Sequence, residues 1–359
     1  MPSAPNHARK LRHLTESLAI GAAGGGLFTF AGFPAGWIAG AMLLTAVAAL
    51  AGRPIFIPTW LGRAFFISLG ISIGTIATPE TLSGMAAWPV SIVMICVAMA
   101  CVTLATVTYL TRVHGWDTQH AVLAGSPGAL SQVMVLGAEY RLDLRGIAIV
   151  QTMRLVLLTL GLPAGLALFG LAGPARFPQG VAIAEAPGEL AVLVVASVVV
   201  ALGLFRLGFS GGLIFGPMLV SAVLHGGDFI HVALPAWFIN AAMVALGTVA
   251  GSRFTNTPLR EVMRYFGAAI GSFAVAIAVA AGFALVMTVG QKFSAPSMVV
   301  AYAPGSVDVM MALALALQLD PVFVGAHHLA RVLVVSLALP VIVQLTAPRS
   351  KPPSAGSND

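Results

Sequence analysis

The stretch 127–163, PGALSQVMVLGAEYRLDLRGIAIVQTMRLVLLTLGLP, returns 177 positions later as 304–340, PGSVDVMMALALALQLDPVFVGAHHLARVLVVSLALP. No gap interrupts the match, and ten of the 37 positions are identical. The identities include a Pro-Gly break (Pro127-Gly128, Pro304-Gly305), an acid (Asp143, Asp320), an arginine (Arg154, Arg331) and a closing proline (Pro163, Pro340). The duplication reaches further upstream. FPAGWIAGAMLL at 33–44 parallels FSGGLIFGPMLV at 209–220, and Gly70 and Gly74 parallel Gly247 and Gly251. A chain built twice over nearly its whole length must fold as two related halves, and each half must satisfy the same break.

The solvent of those halves follows from composition. Charged residues make up 8% of the 359-residue chain and hydrophobic residues 58%. A soluble domain carries about 25% charged residues, so this chain lacks the charge to cover a water-facing surface. Apolar runs near the 18-residue span length recur throughout. The expected fold is an all-α polytopic membrane protein. It has two homologous repeats, each of about five transmembrane helices plus one broken helix. The spans are predicted near 15–32, 35–51, 60–77, 86–111 and 146–171, then 189–205, 208–224, 234–251, 266–289 and 322–346. Residues 1–14 form an N-terminal segment, 15–171 the first membrane repeat, 172–188 a linker, 189–346 the second repeat, and 347–359 a polar tail expected to be disordered.

Charge orients the halves. Cytoplasmic loops of membrane proteins collect Lys and Arg. With a basic, uncleaved N-terminus in the cytoplasm and five crossings per repeat, Arg53, Arg63, Arg112, Arg206, Arg253, Arg260 and Arg264 all fall inside. A parallel second repeat puts Arg206 and the Arg253–Arg264 cluster outside. The expected topology is therefore inverted, with Arg176 and Lys292 as the dissenting loop residues. The net charge of +6 reflects these loops. No basic reading helix is present, so direct binding to nucleic acid is not expected.

The breaks are the candidate site. Segments 119–141 and 295–319 are interrupted by residues that cannot continue a helix, Gly125-Ser126-Pro127-Gly128 and Ala303-Pro304-Gly305-Ser306. Unpaired backbone amides in a bilayer cost several kcal/mol each, so such a break needs protein, water or ligand around it. The helices that follow aim their positive N-terminal ends at the break, a place for an anion. Ser131 and Asp308 occupy equivalent positions on those helices. Arg154 and Arg331 lie inside apolar helices, where a central arginine costs about 2.5–3.5 kcal/mol and needs a partner. Candidate partners are Asp143, Asp320, Glu139, Asp308 or a bound anion.

Substrate or ion binding is thus assigned to Ser126, Pro127, Gly128, Ser131, Arg154, Pro304, Gly305, Ser306, Asp308 and Arg331. Proton handling is assigned to Glu139, Asp308, His327 and His328, since intramembrane acids and histidines mark proton relays. Asp308 also stands where it could cap the helix that starts at 306, and Asp143 and Asp320 stand where helix caps belong.

The remaining motifs read as packing. Gly36/Gly40, Gly70/Gly74, Gly212/Gly216 and Gly247/Gly251 have small-xxx-small spacing, which lets helices approach closely. Gly21, Gly24, Gly25 and Gly26 lie inside the first span. Cys96 and Cys101 are small residues in one span, with no disulfide framework. His225, Asp228 and His231 resemble a metal motif only superficially. No metal ligand set, cofactor or catalytic residue is expected, and the chain is read as a non-enzyme.

The doubled P-G-[AS]-[LV]…M-x-L…L-D…R pattern with FPAGWIAGAMLL-type entries resembles the bacterial AbrB membrane family over 15–346. Members are labelled as gene-expression regulators or ammonia monooxygenases. Family members often carry P-G-G where this chain has P-G-A and P-G-S. The family is also similar to the cation/proton antiporter and bile-acid symporter superfamily, which implies inverted repeats with broken helices. With the breaks, the arginines and the intramembrane acids and histidines, the expected function is a secondary-transporter-like protein for a small, anionic solute, coupled to protons. The alternatives are a membrane sensor that affects gene expression indirectly and, more remotely, a monooxygenase, for which the sequence offers no copper or iron ligand set. Expected partners are the lipid bilayer and a small-molecule solute; a homo-oligomer is left open.

Overall fold

In the computed structural model, residues 7–75, 88–127, 130–171, 186–209, 211–291 and 293–346 are described. The tail 347–359, most of the linker 172–188, Gly128, Glu80, Arg176 and Lys292 lie outside them. The described residues form fourteen α-helices and one short 3-10 turn, and no strand. This is an all-α polytopic membrane protein. Five helices are long and apolar enough to cross a bilayer: α4 (Pro89–His114), α7 (Leu144–Leu168), α8 (Pro187–Arg206), α11 (Leu259–Gln291) and α14 (Pro321–Leu345).

The other helices are α1 (His7–Phe30), α2 (Gly36–Leu50), α3 (Thr59–Gly74), α5 (Thr118–Gly125), α6 (Leu130–Glu139), α9 (Gly212–Gly226), α10 (Ala236–Gly251), α12 (Ala295–Tyr302) and α13 (Val307–Ala316). Helices α3, α5, α6 and α7 recur as α10, α12, α13 and α14, each starting 177 residues later and having the same length. Helix α2 recurs as α9 at an offset of 176. The sequence dictates these ends twice. Asp143 accepts a hydrogen bond from the Arg145 backbone N–H at the start of α7, and Asp320 accepts from Val322 and Phe323 at the start of α14. Both aspartates are N-caps. The turns before them repeat a left-handed residue, Arg141 (φ 54°) and Gln318 (φ 57°).

Two helix starts differ most from the sequence reading. Helix α1 starts at His7 rather than 15, because i,i+4 contacts from Arg12 to Glu16 (2.7 Å) and Arg9 to His13 (3.4 Å) extend it through polar sequence. Helix α11 starts at Leu259 rather than 266. Helices α2, α3, α9 and α10 hold only 15 or 16 residues. At a 1.5 Å rise, 16 residues span about 24 Å, less than the roughly 30 Å hydrocarbon core.

Glycine sets the packing between the halves. A Cβ at Gly70 would strike the Ile214 carbonyl, and one at Gly74 would strike the Met218 carbonyl and Ser221, so α3 runs parallel to α9. The same pattern appears across the pseudo-equivalent pair: Gly247 lies on the Ile38 carbonyl and Gly251 on the Met42 carbonyl and Thr45, so α10 runs parallel to α2. Helix α1 runs antiparallel to α2, with Gly24 on Gly40. The Gly70/Gly74 and Gly247/Gly251 pairs thus hold helices of different halves together at backbone distance, while Gly36/Gly40 and Gly212/Gly216 pack within their own halves.

Each broken segment is a helical hairpin. Helix α7 runs alongside α5 in the same direction, because Gln151 donates to the Leu123 carbonyl (2.6 Å) and Arg154, one turn later, to those of Gly125 and Ser126. The Asp143 backbone N–H donates to His120 (3.1 Å), which ties the start of α7 to the start of α5. Chain that enters with α5 therefore leaves with α6 at the end where it entered. In the second half His328 and Arg331 of α14 take the carbonyls of Val300 and Ala303 in the same order. Ser91, near the start of α4, meets His327 and Tyr302. Helix α14 thus begins beside the start of α4, whereas α7 begins past its end.

Candidate functional site

The hairpin tips are held by arginine. Arg154 donates to the carbonyls of Gly125 and Ser126, both at 3.2 Å, and to the Gln151 side chain at 3.3 Å. Arg331 donates to Ala303 at 3.0 Å and to Gly305. A break in a helix leaves carbonyls without intrahelical donors, and a guanidinium carries five donors in a fixed fork. Each arginine thus closes the end of the entering half-helix of its hairpin. Arg154 is 7% exposed and Arg331 1%.

Their partners correct the sequence expectation. Among the described residues neither guanidinium has a carboxylate within ion-pair distance. Asp143 and Asp320 are occupied as helix caps. Glu139 is exposed at the end of α6. Asp308 stands in the first turn of α13, not at its cap; the N-cap is Ser306, whose side chain makes no capping bond. The carbonyls satisfy donors but bring no charge, so two buried positive charges remain without an opposing ion.

Both arginines line one cavity of about 450 Å³. Its polar wall also holds Gln132, Gln151, Ser306, Asp308 and Ser336. Pro304, Gly305 and Ser306 bring the N-terminal end of α13 to it. Its mouth includes exposed Gly208 and Arg253. Two polar atoms of this wall are buried without a partner, Arg331 Nε and Ser306 Oγ. Gln132 of α6 locks to Ser336 of α14, donating to its carbonyl (3.0 Å) and accepting from its hydroxyl (2.8 Å), so the first hairpin is pinned to the second half beside the cavity.

The structure brings together Arg154, Arg331, Pro304, Gly305, Ser306 and Asp308. Ser126 lies behind the wall as an acceptor for Arg154, and Pro127 is buried next to it. Ser131 lies on α6, and Gly128 is outside the described residues. The histidines do not line the cavity. His327 bonds Ser91 Oγ and the Phe323 carbonyl, both at 2.8 Å, within an aromatic box of Trp88, Tyr302 and Phe323. His328 donates from Nε2 to the Val300 carbonyl at 3.1 Å, while its Nδ1 has no partner. It is a clasp rather than a cavity residue. His225 holds Ser221 and Val232, and His231 meets Asp228 at 2.9 Å. Among the described residues no group of three or more His, Cys, Asp or Glu side chains is arranged to hold a metal ion.

The family model described as "Transition state regulatory protein AbrB" matches residues 9–347. The chain belongs to the AbrB family. Two curated relatives are similar to this AbrB-family chain along most of their length. "Putative regulator AbrB" of Escherichia coli (strain K12) is 24% identical over 316 residues, covering 87% of this chain and 90% of that protein. "Uncharacterized protein YhjN" of Bacillus subtilis (strain 168) is 24% identical over 356 residues, covering 91% of each. The AbrB model spans both halves, including both hairpins and both arginines.

Proposed function

We propose that this AbrB-family protein is a secondary transporter of a small organic anion, built from two inverted repeats in a bacterial inner membrane with the N-terminus in the cytoplasm. The observation that carries the reading is the pair of buried, uncompensated guanidiniums, one behind each hairpin tip, on a single cavity. Buried cations without a counter-ion favour an anionic ligand, and discontinuous helices near mid-membrane are where such transporters bind substrate. The inversion is supported by the opposite placement of α7 and α14 relative to α4 and by the two hairpins returning to their own ends. It is also supported by Arg53, Arg206 and Arg253, which fall together on the inside in that arrangement. The cavity mouth at Arg253 is then cytoplasmic. Asp308 is the carboxylate on the cavity placed to handle protons.

Uptake into proteoliposomes under a pH gradient tests this. Arg331→Met abolishes uptake and Arg331→Lys lowers it strongly; unchanged uptake in both variants removes the site. A second reading, a sensor that binds the same anion without moving it, takes its support from the word "regulator" in a relative's name. It predicts binding with no flux. The transporter reading involves no chemical conversion of the solute.

A further inference from the structure

We infer that the cavity selects a monocarboxylate with an apolar body. This rests on the anion-site reading and narrows it. The head of the ligand is fixed by charge. Arg154 and Arg331 contribute two positive charges beside the hairpin tips, and Asp308 is the one acid on the wall. With Asp308 ionised and exposed Arg253 at the mouth left apart, the formal charge at the tips is +1, which a monoanion cancels and a dianion overshoots. The docking point has its own vacancy in hydrogen bonding. Arg331 is 1% exposed, yet its Nε has no partner, and Ser306 Oγ has none either. Both belong to the cavity wall. One carboxylate can take the Nε donor, the Ser306 hydroxyl and the positive end of α13 together.

The body of the ligand is fixed by the apolar lining. Phe66 of α3 and Phe209 and Phe215 around the start of α9 face the cavity. The rings of Phe209 and Phe215 lie 6.2 Å apart. Leu213, Leu329 and Leu333 extend the apolar surface. A site for a bare inorganic ion has no use for such a wall, and its volume falls in the range of organic ligand pockets. The ligand lies with its carboxylate at the hairpin tips and its carbon skeleton towards the aromatic wall and the mouth.

Calorimetric titration of the purified full-length protein tests the inference with acetate, butyrate, hexanoate, benzoate, succinate, phenylalanine and phosphate. Affinity is expected to rise about fourfold per methylene along the fatty-acid series, the fold-change given by roughly 0.8 kcal/mol per buried methylene. Benzoate binds; succinate, phosphate and zwitterionic phenylalanine bind at least tenfold more weakly. Phe209→Ser flattens the chain-length series, read as the ratio of hexanoate to acetate affinity, and thermal unfolding verifies that the variant folds. Asp308→Asn, which raises the formal charge to +2, shifts preference from benzoate towards succinate. A flat series, with acetate and phosphate binding as well as hexanoate, overturns the apolar-body inference but leaves an anion site. Phenylalanine binding more tightly than benzoate overturns the charge count. If no anion binds, the anion-site reading fails with it.

Discussion

Gln151 and His328 do the same work in the two halves. Gln151 donates to the carbonyl of Leu123, and His328, 177 residues later, donates to the carbonyl of Val300, the residue equivalent to Leu123. Each sits one turn before an arginine that takes the carbonyls at the tip. The half-helix that enters each hairpin is therefore clasped twice by the helix that follows, first by a neutral donor and then by a guanidinium. A transmembrane helix and its broken neighbour move as one body when they share three such bonds.

This predicts that His328 serves as a donor rather than as a titrating group. His328→Gln keeps the clasp and changes stability by less than about 1 kcal/mol. His328→Ala leaves the buried Val300 carbonyl without its donor, at a cost of about 1–3 kcal/mol. Thermal unfolding of the two variants in the same detergent checks the contrast. An equal loss in both contradicts the clasp.

Glycine contacts between the halves make a second, paired prediction. A side chain at Gly70 meets the Ile214 backbone, and one at Gly247 meets the Ile38 backbone. Backbone cannot give way as a side-chain tip can. Gly70→Val and Gly247→Val should each destabilise by roughly 1–3 kcal/mol or more, and by similar amounts. Gly161→Val, with open space around it, serves as the control. Unfolding temperatures read the difference, and a control as damaging as the paired variants counts against the packing argument.

Much of this was legible in the sequence because the repeat prints each signal twice. The caps Asp143 and Asp320, the breaks at Pro127 and Pro304, the arginines and the paired glycines were all visible at one offset. Residues that do the same task with different chemistry were not. Gln151 and His328 share no side-chain type, so identity counting passed over them, although the constant offset pointed to both. The acids misled for a different reason. A buried arginine invites a carboxylate partner, but a broken helix supplies carbonyls, and these satisfy the donors without neutralising the charge. Glu139 accordingly ends up exposed. The aromatic wall was invisible because Phe66 and Phe215 reach the same cavity only when α3 packs on α9, across about 150 residues of chain. The box of Ser91, Tyr302 and His327 closes over a still longer separation.

The topology is open to a direct chemical check. Arg141 and Gln318 occupy equivalent exposed turns, both left-handed. With Cys96 and Cys101 replaced by Ala, Arg141→Cys should react with an impermeant thiol reagent only from the cytoplasmic face, and Gln318→Cys only from the external face. Reaction of both from one face contradicts inverted halves.

The central claim is that the cavity between the hairpin tips is reached from each side of the membrane in turn. Ser306 lines that cavity, and its side chain makes no capping bond, so Ser306→Cys in the same cysteine-free background reports on access. The decisive measurement is its reactivity towards impermeant reagent added to right-side-out and to inside-out vesicles. Alternating access predicts modification in both preparations, with benzoate slowing each. Modification from a single side, unchanged by benzoate, contradicts it.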